Sequence, residues 1–382
     1  MNTARTPEGA VDLLFDARHI RQSGIGTYIS TQLPLLQERL TQHRLSLAIL
    51  ADPTTVPRVS ENTAVYFSRP SAAPMYSIQE QKAWDDALRC ARPRAVWLPH
   101  YPFPLTLFRP CNRQILTFAT IHDTGHSFKK GISGQSWARR TYACGMLHID
   151  ARRCSTIFAA SATTAESLRR IVRSAPVMVA PMPVDPLWFT PADPNLSPMR
   201  GKYIIFVGNV KHHKNLPLLL NAYAEIAHAI PQKLVIAGGG ESMRAFDSRI
   251  QPLTAQLGDR VQVIGRLDFD ELRSLVAGAD LLVMPSLYEG VGLPPLEAMA
   301  SRTAVLTSNI AALRETCGEG AEYFDPHDPH GLACLIRTYG CDDDARAALA
   351  AKGWSHVTER QSQLSFTTAV DAICSALDRN RQ

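Results

Sequence analysis

Along most of the chain, apolar residues gather in short runs separated by longer stretches with apolar positions three and four apart. Residues 11–16 (Val-Asp-Leu-Leu-Phe-Asp) form the first run and read as a strand. A turn holding Gly24-Ile25-Gly26 follows, and the spacing then predicts a helix over 27–39. Further strands are expected at 45–50, 95–98, 115–121, 155–160 and 177–180, with helical patterns between several of them. Alternating strands and helices point to a parallel α/β sheet.

Between 181 and 198 the texture changes. Pro181, Pro183, Pro186, Pro191, Pro194 and Pro198 fall close together. Proline fixes φ and removes amide donors, so this stretch reads as an extended interdomain linker. The strand pattern restarts at 203–207, and strands follow at 233–237, 261–264, 280–284 and 304–307. Helices are expected at 216–229, 271–277 and 295–300, and a last one at 365–377 through Phe366, Val370, Ile373 and Leu377. The organisation expected is an N-terminal domain over 1–184, a linker at 185–200, a second domain over 201–360 and a C-terminal helix within 361–382. Two doubly wound halves predict a cleft, with ligands beyond the carboxyl ends of the strands.

With 382 residues, 45% hydrophobic and 20% charged, both domains can bury cores. The net charge of +5 is uneven: residues 1–199 hold 22 basic and 14 acidic residues, and 200–382 hold 18 and 21. A basic first half suggests an anionic partner. No apolar leader opens the chain and no run of about 18 apolar residues occurs, so neither a secretory signal nor a spanning helix is expected. The eight cysteines are scattered without Cys-x-x-Cys and read as reduced thiols of a cytoplasmic protein. No Cys/His pairs have ligand spacing, so no metal site is expected.

Chemistry concentrates after strands. In 285–300 a strand runs into Glu289-Gly-Val-Gly292 and a helix opened by Pro294-Pro295. A helix start offers free amides to an anion. Glu297, expected in the first turn, has a carboxylate able to accept two hydroxyls of a ribose diol, and Glu289 could reach a second polar group. In 206–215, Gly208-Asn209-Val-Lys211-His-His-Lys214 sets two ammonium groups beside a glycine turn, which suits a diphosphate. Ser23-Gly24-Ile-Gly26-Thr27-Tyr28 follows the first strand, and His122-Asp123 ends another. Asp268-Phe-Asp270 could be mistaken for a metal-binding pair, but Asp268 with Glu271 fits a capping box. The stretch 129–153 interleaves Lys129, Lys130, Arg139, Arg140, Arg152 and Arg153 with Trp137 and Tyr142, which suits either a solvated helix face or an anionic lipid surface. It follows no recognised nucleic-acid module.

These residues resemble those of glycosyltransferase family 4, whose members have the GT-B fold of two Rossmann-like domains facing a cleft. Glu289 and Glu297 match the family's Glu-x7-Glu element, 208–215 resembles its diphosphate loop, 23–28 its first loop and 121–123 a recurring element near the transferred sugar. The resemblance implies that Glu297 holds the donor ribose and that Lys214 and Lys211 neutralise the diphosphate. Gly292 and Leu293 offer amides, and Glu289 and His122 contact the transferred sugar. Arg266 and Leu267 border the base, while Gly24 and Gly26 let the first loop approach the phosphates. Related enzymes often carry arginine where this chain has Asn209. The last helix would pack back on the first domain, and domain closure would exclude water.

The chemistry implied is retaining hexosyl transfer without an obligatory metal or cofactor. The expected donor is GDP-mannose. The expected acceptor is a glycan or polyprenyl-diphosphate-linked sugar in bacterial exopolysaccharide, capsule or O-antigen synthesis, with peripheral membrane contact possible through the basic first half and no nucleic acid involved. A UDP-sugar donor, a non-catalytic GT-B subunit and a nucleotide-sugar epimerase are the alternatives. A phosphorylase using pyridoxal phosphate is disfavoured by the short chain and the lack of a cofactor-lysine signature.

Overall fold

The computed structural model describes residues 10–22, 24–75, 77–101, 103–125, 136–173, 176–238 and 249–380. The chain divides into two compact units.

The first unit contains β1 (Leu13–Asp16), α1 (Ile25–Gln42), β2 (Leu47–Ala51), β3 (Thr63–Phe67), α2 (Ile78–Ala91), β4 (Ala95–Leu98), β5 (Leu116–Ile121), α3 (Trp137–Arg153), β6 (Thr156–Ala159), α4 (Ala162–Ile171) and β7 (Val177–Val179). Its sheet is parallel, in the order β3-β2-β1-β4-β5-β6-β7. Leu13 pairs with Leu47 on one side and Ala95 on the other. β1 and β4 are buried along their whole length, so their side chains are almost all apolar. At the edge, β7 leaves Met178 exposed.

The second unit contains β8 (Tyr203–Val207), α5 (Leu216–Ile226), β9 (Lys233–Ala237), α6 (Ile250–Leu257), β10 (Val261–Ile264), α7 (Phe269–Ala277), β11 (Leu281–Met284), α8 (Leu293–Ala300), β12 (Ala304–Ser308), α9 (Ala311–Cys317), β13 (Glu322–Phe324), α10 (Pro329–Cys341) and α11 (Asp343–Gln363). Its parallel sheet runs β10-β9-β8-β11-β12-β13. Its core gathers Phe206, Leu219, Tyr223, Ile236, Val283 and Leu306. The final helix, α12 (Thr368–Arg379), groups with the first unit. There Arg39 pairs with Asp371 at 3.1 Å, and Arg94 Nη2 donates to the Leu377 carbonyl at 2.9 Å.

Two expectations need correction. The proline-rich stretch is not a bare extended link. It forms 3-10 turns at Pro186–Phe189 and Pro194–Leu196, capped by Asp185 and Asp193. Trp188 is buried and meets Phe269 edge-on at 5.7 Å, while Arg273 Nη2 and Ser274 Oγ donate to the carbonyls of Thr190 and Asp193. Prolines removed the amides that a strand would need, and tertiary partners took up the carbonyls. The second correction concerns 129–153. Lys129 and Lys130 lie outside the described residues, and Arg153 is not a solvated charge: its Nη2 donates to the carbonyls of Asn112 and Ile115 at 3.0 and 3.1 Å. Among the described residues, no helix is long and apolar enough to cross a membrane.

Candidate functional site

In the second sheet the strand order reverses between β8 and β11, so the loops leaving these neighbouring strands diverge and open a crevice. The lysine loop follows β8 and the acid loop follows β11. After β8 the chain turns at Gly208, and a short 3-10 turn (His212–Lys214) leads through left-handed Asn215 into α5. Leu287 N donates to His213 O at 2.8 Å, which ties the two loops together.

The side chains meet across this tie. Lys214 Nζ lies 2.7 Å from Glu289 Oε1, with the two side chains 15% and 10% exposed. Ser286 Oγ donates to the same carboxylate oxygen at 2.6 Å. The pair is locally neutral, and the ammonium keeps further N–H donors for a ligand oxygen. Lys211 is exposed on the same loop.

Gly292 caps α8 in a left-handed conformation, φ 82°. A Cβ there would come within 2.3 Å of Leu313 Cδ2, so glycine is required both by backbone and by space. The helix begins at Leu293, which moves Glu297 out of the first turn into the second. Pro294 and Pro295 remove two of the first amides, so the donors at this helix start narrow to Leu293 and its predecessors. Glu297 is half-buried. Burial, with the Asp185 charge adding to it, pushes its carboxyl up to about 7. Arg266 and Leu267 lie in the turn between β10 and α7, Arg266 exposed and Leu267 half-buried. There Asp268 accepts from Glu271 N and Glu271 accepts from Asp268 N, the capping box that the spacing indicates.

The remaining expected residues lie in the first unit. Gly24 caps α1 at φ 74° and Gly26 falls in its first turn. A Cβ on Gly26 would sit 2.2 Å from the Ile20 carbonyl oxygen, so that glycine serves packing within the loop itself. His122 ends β5. Its Nε2–H donates to Pro99 O at 2.7 Å, and Tyr28 meets its ring edge-on at 4.8 Å. Burial holds the imidazole below its ordinary value, so it is neutral, with Nδ1 as its acceptor atom. Tyr28 is itself fixed through Thr120, to which Trp97 Nε1 also donates at 3.0 Å. Ser286 and Asp185 were given no role from the sequence, and Tyr28 was named only as the end of the 23–28 loop. Only their positions beside a strand end, a proline run and a glycine loop signalled them.

Residues 192–355 match the family model described as Glycosyl transferases group 1. The chain is 26% identical over 285 residues to the O-antigen chain mannosyltransferase RfbU of Salmonella typhimurium, covering 74% of this chain and 75% of that one. It is 40% identical over 116 residues to the uncharacterized glycosyltransferase MJ1607 of Methanocaldococcus jannaschii, covering 30% of this chain. Of that relative the chain spans only 29%, and it spans less than half the length of several other curated relatives it matches. Among solved structures, sucrose-phosphate synthase from Thermosynechococcus elongatus superposes with a TM-score of 0.74 at 18% identity, over 97% of this chain and 98% of that one. Anabaena Alr3699/HepE in complex with UDP and glucose gives 0.70 at 15% identity, over 97% and 100%. The fold is therefore that of the GT-B glycosyltransferases, two Rossmann-like units with parallel sheets.

Proposed function

We propose that the chain is a retaining glycosyltransferase that moves mannose from GDP-mannose to a glycan or polyprenyl-diphosphate-linked acceptor in bacterial surface-polysaccharide synthesis. The observation that carries the reading is the Lys214–Glu289 pair at the β8/β11 switch point, with Glu297 one helical turn beyond the Gly292 cap. In this reading Glu297 accepts from the ribose diol. Lys214, with Lys211 and the amides of Gly292 and Leu293, stabilises charge growing on the departing diphosphate. Glu289 and the Nδ1 face of His122 receive hydroxyls of the transferred sugar. The acceptor hydroxyl attacks on the face the diphosphate leaves, and a phosphate oxygen takes its proton. The mannose assignment is supported by the name of the RfbU relative. A UDP-sugar donor is the second reading, favoured by the UDP bound to the HepE neighbour.

The reading places the enzyme in the cytoplasm, with α3 against the inner membrane leaflet. Trp137, 76% exposed, and the exposed Arg139 and Arg152 would meet anionic headgroups. Binding to anionic vesicles that is absent or indifferent to salt would remove this part.

The deciding experiment is a thermal-shift screen against GDP, UDP, ADP and their sugar conjugates, with and without EDTA. A ligand of the folded state raises the melting temperature. Selective stabilisation by GDP and GDP-mannose in both buffers is expected. A UDP response replaces the donor. Binding without turnover on any acceptor identifies a non-catalytic subunit, and silence toward every nucleotide overturns the site.

A further inference from the structure

The first sheet has its own switch point, between β1 and β4. The chain leaving these strands brings together Asp16, Arg18, His19 and His100, and α2 adds Glu80. None of the five is more than 6% exposed. None of the five belongs to the loops that carry Lys214, Glu289 and Glu297, and His100 follows Pro99, whose carbonyl accepts from His122.

One donor atom each from Asp16, His19 and His100 lies within 4.8 Å of the others. Glu80 Oε1 is 3.4 Å from His100 Nε2 and 3.9 Å from His19 Nε2, and His100 Nε2 is 4.0 Å from Asp16 Oδ2. Ligands on a tetrahedral zinc ion, with bonds of about 2.0–2.1 Å, stand roughly 3.3 Å apart. Asp16, His19 and His100 would close by up to roughly 1.5 Å to reach that shell, with Glu80 beside the two imidazoles. His19 Nε2 and His100 Nδ1 are buried without a hydrogen-bond partner. On its other side, His19 Nδ1 is 3.1 Å from the Gln22 amide.

Charge points the same way: the buried carboxylates of Asp16 and Glu80 share the single guanidinium of Arg18. Arg18 grips the far edge of Asp16, with Nε on Oδ1 at 2.9 Å and Nη2 on Oδ2 at 2.7 Å, and its Nη2 also reaches Glu80 Oε1 at 3.2 Å.

We propose that Asp16, His19 and His100, with Glu80 beside the two imidazoles, bind one divalent transition-metal ion of the zinc type, which pins the ends of β1 and β4 to the start of α2. Mixed imidazole and carboxylate donors in fourfold arrangement suit that class of ion. The role is structural.

The test uses the full chain. Protein purified without chelator is dialysed, its metal content is measured by mass spectrometry, and the chelated form is titrated with Co²⁺. One equivalent is expected, with visible absorption of tetrahedral cobalt and no near-ultraviolet thiolate band. His19→Ala and His100→Ala should each weaken binding by more than about 100-fold, beyond the 10–100-fold typical of outer-shell partners. His330→Ala, at the exposed His330–Glu225 pair, should leave it unchanged. Chelation should lower Tm of the native chain but not of His100→Ala. If His100→Ala fails to fold, His19→Ala and the native cobalt spectrum still decide. No retained metal, binding indifferent to both histidines, or a thiolate band would overturn the proposal.

Discussion

Glu297→Gln interrogates the candidate site through a single proton. The carboxyl stands at about 7 against an ordinary 4.5, because burial and then Asp185 disfavour its charge. At 1.36 kcal/mol per unit, the ionised form costs the folded chain about 3 kcal/mol. Below pH 4.5 the group is protonated whether the chain is folded or not, and the cost is absent. Between 4.5 and 7 the unfolded chain ionises first, so stability falls. Above 7 the loss is complete and constant. Glutamine keeps the shape and removes the titration. The variant should match the native chain near pH 4.5 and exceed it at pH 8 by up to about 3 kcal/mol, read from urea unfolding followed by tryptophan fluorescence. A ribose diol donating to the carboxylate favours its ionised form. Nucleotide binding at pH 7 should therefore release about half a proton, seen by calorimetry in buffers of different ionisation enthalpy, and Glu297→Gln should abolish that release. An offset between variant and native chain that is equal at pH 5 and pH 8, or proton release unchanged by the substitution, refutes the reasoning.

Glu297→Ala should weaken nucleotide binding in calorimetry, whereas Lys214→Ala should mainly slow turnover; near-native kinetics in both would remove the site assignment. Lys214→Ala should also cost about 1–3 kcal/mol in unfolding, because Glu289 keeps the Ser286 hydroxyl but loses its ammonium partner. Gly292→Ala should lower stability by about 1–3 kcal/mol through left-handed strain and overlap with Leu313, and Leu313→Ala in the same chain should relieve the overlap but not the strain. Asp150 is fully buried with both carboxyl oxygens lacking a hydrogen-bond partner, and burial pushes its carboxyl well up. Asp150→Asn should gain stability over the native chain as pH rises, with the difference shrinking toward acid pH in the same unfolding assay.

What the sequence determined by itself was local. Apolar runs named most strands of both sheets, because a strand buried on both faces must be apolar throughout. The α7 capping box needed only Asp268 and Glu271, three residues apart. The loops after β8 and β11 were legible because glycine, proline, lysine and glutamate there act on their own backbone neighbourhood. β3, α2, α6, α9, β13, α10 and α11 were not predicted. Three-residue β13 is too short to show a period, and α2 spreads its buried Trp84, Ala87 and Leu88 among charged residues.

Tertiary structure decided what distant residues do to one another. Lys214 and Glu289 are 75 positions apart and meet only because β8 and β11 are neighbours. Glu297 has its raised proton affinity because its surroundings bury it and, second, because the proline-rich stretch brings Asp185 near. His19 and His100 have no ligand spacing along the chain, yet the order β2-β1-β4 sets their rings 5.1 Å apart. Periodicity reports which face of an element is buried. It carries no information about which strand lies beside which, and in this fold the charged groups are brought together by strand order.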